Sequence, residues 1–269
     1  MTFDELIDVT KAYVASEGKS AKPEFTEQWT QGRTGFGGLS AGLLLAATEQ
    51  KVSDDKSLHS VYTSFIGPLL ADVPFEVEVD VLREGKNVVQ LQSKAIQNGQ
   101  VAVLQQVSYG AKRDSKIALN KLPTHNMAKP DSEIMNAPDG AMVPNFVRNF
   151  DMDFQQSGLP FSGSKDSHTH GWMRFKDEPR TITNAHIICL VDTWPPTVAQ
   201  QLDNPAPLST MSWYIEFVNT DVSCKPNDWF AYQCDASYAK GGYGYTDAYI
   251  WNKAGDIIAK SHQTITVFG

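Results

Sequence analysis

The sequence predicts an α+β fold in which one programme, a helix followed by four antiparallel strands, is run twice. Three observations carry this. Gly35 to Thr48 (GFGGLSAGLLLAAT) begins glycine-rich and continues apolar, with neither Gly nor Pro after Gly42 until Gly67. Strand-like runs then come in consecutive sets, over 58–112 and again over 210–267, and do not alternate with helices as a parallel sheet would require. Each set ends on a tight hairpin, at Asn98-Gly99 and at Ala254-Gly255-Asp256.

Taken in order, residues 3–16 read as a short amphipathic helix and Phe25 to Thr34 as a strand leading into the glycine-rich loop. The central helix runs to about Lys51, with Leu39, Leu43, Ala46 and Ala47 on one face at the i, i+4, i+7, i+8 spacing of a buried stripe. Its small residues let other backbone come close. After a polar break at Val52–Ser57, His59 to Ile66 is a strand. Pro74 to Arg83 is a second, with Phe75, Val77, Val79 and Val81 alternating against Glu76, Glu78 and Asp80. Val88 to Gln97 and Val101 to Lys112 complete the first set. From Asp114 to about Asp139 the chain is polar, carries three prolines, and reads as a linker over the surface. The expected organisation is a first module at 1–115, a linker at 116–140 and a second module at 141–269. In the second module Asn145 to Phe154 and His168 to Phe175 read as strands. An apolar helical segment within Thr183 to Gln201 follows, interrupted by Pro195 and Pro196. Four strands close the chain, at Thr210 to Asn219, Trp229 to Ala239, Gly244 to Asn252 and Ile257 to Val267.

Composition narrows the function. The chain has 269 residues, with 23 basic against 31 acidic residues and a net charge of −8, which disfavours a sequence-independent grip on nucleic acid. It holds no run of 18 apolar residues, so no membrane span is expected. The start, MTFDELID, is acidic and reads as the first helix of the fold, not as a signal peptide. Cys189, Cys224 and Cys234 are odd in number and have no metal-like spacing, which points to free thiols in a reduced cytoplasm.

Three motifs invite chemistry and fall to their contexts. Gly38-Leu39-Ser40-Ala41-Gly42 matches G-x-S-x-G, but polar, glycine-rich chain precedes it where a buried strand is required. His168-Thr169-His170 places two histidines on one strand face with no third ligand in sequence, so no metal is expected. Lys240-Gly241-Gly242-Tyr243-Gly244 lies between strands and not before a helix, which makes it a turn and not a phosphate cradle. No cofactor is expected.

One resemblance spans nearly the whole chain. Phe36-Gly37-Gly38, His59-Ser60 with Ser64-Phe65 and Pro68, the run Val81 to Asn87, and Ala95 to Gln100 resemble the first half of the acyl-CoA thioesterase II family. Asp192 after the apolar helix, Thr210-Met211-Ser212 opening a strand, and Gly255 with Ala259 and Gln263 resemble its second half. The chain departs from that pattern around Trp194-Pro195-Pro196 and Trp213-Tyr214-Ile215-Glu216, a departure that bears on substrate preference more than on fold. The resemblance implies a double hotdog: two fused modules, each a long central helix wrapped by an antiparallel β-sheet, with the sheets joined edge to edge. It implies hydrolysis of acyl-CoA by water, and carries the catalytic roles onto Asp192, Thr210 and Gln263. Phe36, Gly37, Gly38 and His59 are implied as substrate-binding residues, no metal or other cofactor is implied, and a cytoplasmic homodimer is the expected assembly. Two alternatives stay open: a hotdog hydratase or dehydratase, which would want an Asp–His pair, and an acyl-CoA-binding protein without catalysis.

Overall fold

The computed structural model describes residues 1–130, 143–220 and 223–268. Helix α1 (Phe3–Ala15) starts on a capping box, in which Thr2 accepts from the Glu5 amide while the Glu5 side chain accepts from the Thr2 amide. Its buried residues, Phe3, Leu6, Ile7, Thr10 and Tyr13, form one amphipathic face.

The segment expected as a strand before the glycine-rich loop is different. Residues Glu27–Trp29 form a 3₁₀ turn, followed by a two-residue hairpin of β1 (Thr30–Gln31) and β2 (Thr34–Gly35). Gly32 at its tip has φ +66°, which a continuous strand cannot hold. Helix α2 (Gly37–Glu49) follows directly. Its side chains from Gly38 to Thr48 are all buried, so the expected single apolar face is corrected to a helix enclosed on every side.

Ten strands then form one antiparallel sheet. They are β3 (Lys56–Phe65), β4 (Glu76–Glu84), β5 (Val88–Gln97), β6 (Gln100–Ala111), β7 (Phe150–Ser157), β8 (His168–Phe175), β9 (Leu208–Phe217), β10 (Phe230–Lys240), β11 (Tyr243–Trp251) and β12 (Ile257–Val267). Their order is β4-β5-β6-β3-β9-β12-β11-β10-β8-β7. Read outward from the β3–β9 junction, each half presents its first, fourth, third and second strand. The duplication is thus one of topology, with β7 and β8 added at the far edge. The junction pairs Tyr62 with Tyr214 and Thr63 with Trp213, so neither half keeps an open inner edge.

Residues 145–149, expected within a strand, make a 3₁₀ turn before β7. Helix α3 (Asn184–Val191) is only eight residues long and ends at Asp192. The linker, described up to residue 130, crosses the outer face of the second half, where Trp172 Nε1 donates to the Ala128 carbonyl at 2.7 Å and Trp251 Nε1 to that of Pro123 at 3.1 Å. The rest of the expected linker, 131–140, lies outside the described residues.

Helices α2 and α3 pack tightly because α2 offers glycine at the crossing. A Cβ on Gly38 would lie 2.8 Å from the Cys189 carbonyl oxygen, and one on Gly42 would lie 2.8 Å from that of Ala185 and 2.7 Å from the Phe3 ring. Gly42 is helical, where alanine would be favoured by about 1 kcal/mol. The backbone of α3 cannot yield as a side chain does, so Gly42→Ala is expected to destabilise the protein by about 1–3 kcal/mol in denaturant unfolding, against its propensity gain.

Candidate active site

Helix α3 stops with Asp192 as its C-cap, at φ −86° and ψ 3°. The close α2–α3 crossing sets this residue against the opening turn of α2. A Cβ on Gly37 would lie 2.7 Å from Asp192 Oδ2, and the Gly38 backbone N–H donates to the carboxyl. Gln263 on β12 reaches it from the sheet, its Nε2 donating to Asp192 Oδ1 at 3.0 Å. A carboxyl from the second half thus meets the first-turn amides of a helix from the first half. In α2 the first helical acceptor is the Phe36 carbonyl, which takes the Ser40 N–H at 3.4 Å. The N–H groups of Gly37, Gly38 and Leu39 precede that bond and have no i−4 partner.

Burial pushes the Asp192 carboxyl up to about 7, and the hydrogen bonds from Gln263 and Gly38 hold it below what burial alone would give. The two helix termini act in opposite senses: the carbonyl end of α3 disfavours the anion and the amide end of α2 favours it. Asp192 still keeps part of its surface open to solvent.

Thr210 lies on β9 opposite Ile265, two residues from Gln263 on β12, so the two side chains share the face turned toward the helices. A bulge makes this possible. Thr264 pairs with Ser212 and Ile265 with Thr210, which leaves Met211 as the extra residue and returns Thr210 to the inner face beside Trp213. Among the described residues no hydrogen bond joins Thr210 to Asp192 or Gln263; in the strand register Thr210 stands one diagonal position from Gln263. On either side of Gln263, Trp213 on β9 and Thr246 on β11 are its paired neighbours.

The four residues implied for substrate binding separate. Gly37 and Gly38 are at the carboxyl. Phe36 is fully buried and stacks on Phe146 with centroids 4.0 Å apart, a core role. His59 is not brought to the site. It occupies a bulge near the start of β3, against Gly110, and faces a separate cleft of about 490 Å³ with Lys112 and Arg113. The Phe65 end of β3 touches Gly37, whereas Leu58 pairs with Tyr109, whose hydroxyl meets Thr48 near the far end of α2. His59 is therefore removed by roughly the length of α2, about 18 Å.

Other nucleophiles and bases are engaged elsewhere. His186 is buried between the Asp4 carboxylate, 3.1 Å from Nε2, and the Thr183 hydroxyl, 2.9 Å from Nδ1, and so does not pair with Asp192. Burial raises the Cys189 and Cys234 thiols, which keeps them protonated at neutral pH. Ser40 donates to the Gly37 carbonyl at 3.0 Å from within α2. Sequence spacing alone missed that the Phe36-Gly37-Gly38 turn serves Asp192, because the two stretches lie in different halves of the chain.

Comparison with known proteins identifies the family. Residues 25–110 match the family model of the acyl-CoA thioesterase N-terminal domain, and residues 122–267 match that of the acyl-CoA thioesterase C-terminal domain. The chain is 24% identical over 250 residues to acyl-CoA thioesterase 2 of Haemophilus influenzae, with 85% of each chain covered. Among solved structures it is similar to a hot dog fold protein from Alicyclobacillus acidocaldarius, with TM-score 0.77, 20% identity and coverage of 93% and 94% of the two chains. It is also similar to an acyl-CoA thioesterase II from Mycobacterium marinum, with TM-score 0.66, 18% identity and coverage of 88% and 90%. Both likenesses are of fold. With one family domain matched across each half of a double-hotdog sheet, the chain belongs to the acyl-CoA thioesterase family and is a thioester hydrolase.

Proposed function

We propose that Asp192, Thr210 and Gln263 carry out the acyl-CoA hydrolysis of this family, with Asp192 as general base. The observation that carries this reading is the Asp192 carboxyl, raised to about 7 and held between Gln263 Nε2 and the Gly38 amide. A thioester carbonyl is already electrophilic, so a water suffices as nucleophile once it is oriented. Gln263 spends its amide N–H on Asp192 and leaves its oxygen to accept from that water, and the Thr210 hydroxyl supplies a second contact from β9. Asp192 takes the water proton as the oxygen bonds to the carbonyl carbon. The oxyanion that forms lies at the positive end of α2, where the opening N–H groups are the donors. Collapse of the tetrahedral intermediate breaks the C–S bond, and the proton held by Asp192 passes to the departing CoA sulfur. The products are a free acid and CoA, and Asp192 is returned ionised.

A hydratase reading loses support because the one histidine near in sequence, His186, is bound to Asp4. The division into a first module at 1–115, a linker at 116–140 and a second module at 141–269 is part of the proposal; the family matches at 25–110 and 122–267 divide the chain in the same region, the second beginning within the linker. So is a cytoplasmic homodimer, for which three unpaired cysteines and the family resemblance speak.

The carboxyl sets three expected outcomes. As the base must be ionised, kcat/KM for an acyl-CoA, followed by thiol release, should rise with pH through an apparent pKa near 7 and then level off. Gln263→Ala removes a donor to the anion, so in that variant the residual activity should rise only at higher pH; an unmoved limb would detach Gln263 from Asp192. Asp192→Asn should cut turnover at least 100-fold.

The same substitution should change stability in a pH-dependent way. The folded-state value lies above the ordinary 3.8, so the stability contributed by the neutral carboxyl is full below pH 4 and is lost as pH rises through 7. Asp192→Asn should therefore be more stable than the parent at pH 8, by no more than about 4 kcal/mol, with a smaller difference at pH 5. Chemical unfolding at the two pH values measures it.

A further inference from the structure

We infer that Trp194, with Val198, closes the acyl-binding space beyond Asp192 and restricts the enzyme to short acyl groups. This rests on the catalytic assignment of Asp192 and Gln263 above. Helix α3 ends after eight residues where α2 runs for thirteen. In place of further helical turns, Pro195-Pro196 and a 3₁₀ turn at Thr197–Gln201 carry the chain across the inner face of β8, β10 and β11. Trp194 and Val198 are buried in this roof.

The roof rests on the sheet at two glycines. A Cβ on Gly171 of β8 would lie 2.9 Å from Trp194 Cη2, and one on Gly244 of β11 would lie 2.6 Å from Val198 Cγ1. A hydrocarbon chain needs about 4 Å of separation from carbon on each side, so none passes between roof and sheet there. The Trp194 ring is fixed in its place. It stacks parallel to Tyr232 with centroids 5.1 Å apart, meets Phe154 edge-on at 4.7 Å, and donates from Nε1 to Met173 Sδ at 3.1 Å.

The surface in front of this wall is also unlike a long-chain tunnel. Thr246, paired with Gln263, and Cys234 face inward there, and the Thr197 hydroxyl lies 3.8 Å from Cys234 Sγ. These groups bond to one another and offer a long alkyl chain little apolar surface. An acyl chain leading from Asp192 over β11 and β10 therefore ends at the aromatic wall.

The test is kcat/KM for butyryl-, hexanoyl- and palmitoyl-CoA, measured with the parent protein and with Trp194→Ala, Trp194→Phe and Val198→Ala. The parent should favour the two short substrates over palmitoyl-CoA. Trp194→Ala should raise the palmitoyl-to-butyryl ratio at least ~10-fold, and Val198→Ala should move it in the same direction by less. Trp194→Phe keeps an aromatic wall and serves if the alanine variant fails to fold, with a smaller shift expected. Two results would overturn the inference while leaving the catalytic reading intact: a parent that prefers palmitoyl-CoA, or folded variants whose ratio equals the parent's. Absence of hydrolysis of all three esters by the parent would overturn both.

Discussion

The structure depends on one close approach, that of α2 to α3 at Gly38 and Gly42. With glycine at both positions the backbone of α2 sits directly on the carbonyls of Cys189 and Ala185. That contact locks the helices of the two halves together. It also fixes which residues face each other across the join, so that the first turn of α2 meets the last residue of α3. Any side chain larger than hydrogen at these positions would separate the helices, and with them the site.

The chemistry follows from that placement. Asp192 is held between the carbonyl end of one helix and the amide end of another, in surroundings that disfavour its charge, with two donors that partly restore it. A carboxyl poised near neutrality is a better base than one at 3.8 and is still ionised often enough to act. The first half supplies α2 and its amides; the second supplies Asp192, Thr210 and Gln263. The two halves are not equivalent here, because the helix that corresponds to α2 in the second half is short and ends at Asp192.

Much of the fold was legible in the sequence. The alternation of Val77, Val79 and Val81, the Asn98-Gly99 hairpin and the two sets of four strands depend on local period and turn chemistry, which a sequence displays. The stretch 25–34 was misread because a 3₁₀ turn and a two-residue hairpin have no periodicity long enough to detect. The apolar stripe of α2 was understated for a different reason: a helix of Gly, Ala and Leu is buried by what surrounds it, and that is tertiary information. In the candidate site, Asp192, Thr210 and Gln263 are marked only by resemblance, since neither spacing nor propensity singles them out. The bulge at Met211, which turns Thr210 inward, and the Gly38 amide on Asp192 depend on strand register and helix crossing. Likewise, His59 matched a motif and yet stands at the other end of β3.

The proposed mechanism requires Asp192 to be a carboxyl that titrates near neutrality. Infrared difference spectroscopy of the ligand-free protein across pH 4 to 9, with Asp192→Asn as reference, tests it without turnover. A protonated-carboxyl C=O band should disappear with a midpoint near 7 and be missing in the variant. A band assigned to Asp192 that titrates near 4, the value of an ordinary exposed carboxylate, would contradict it.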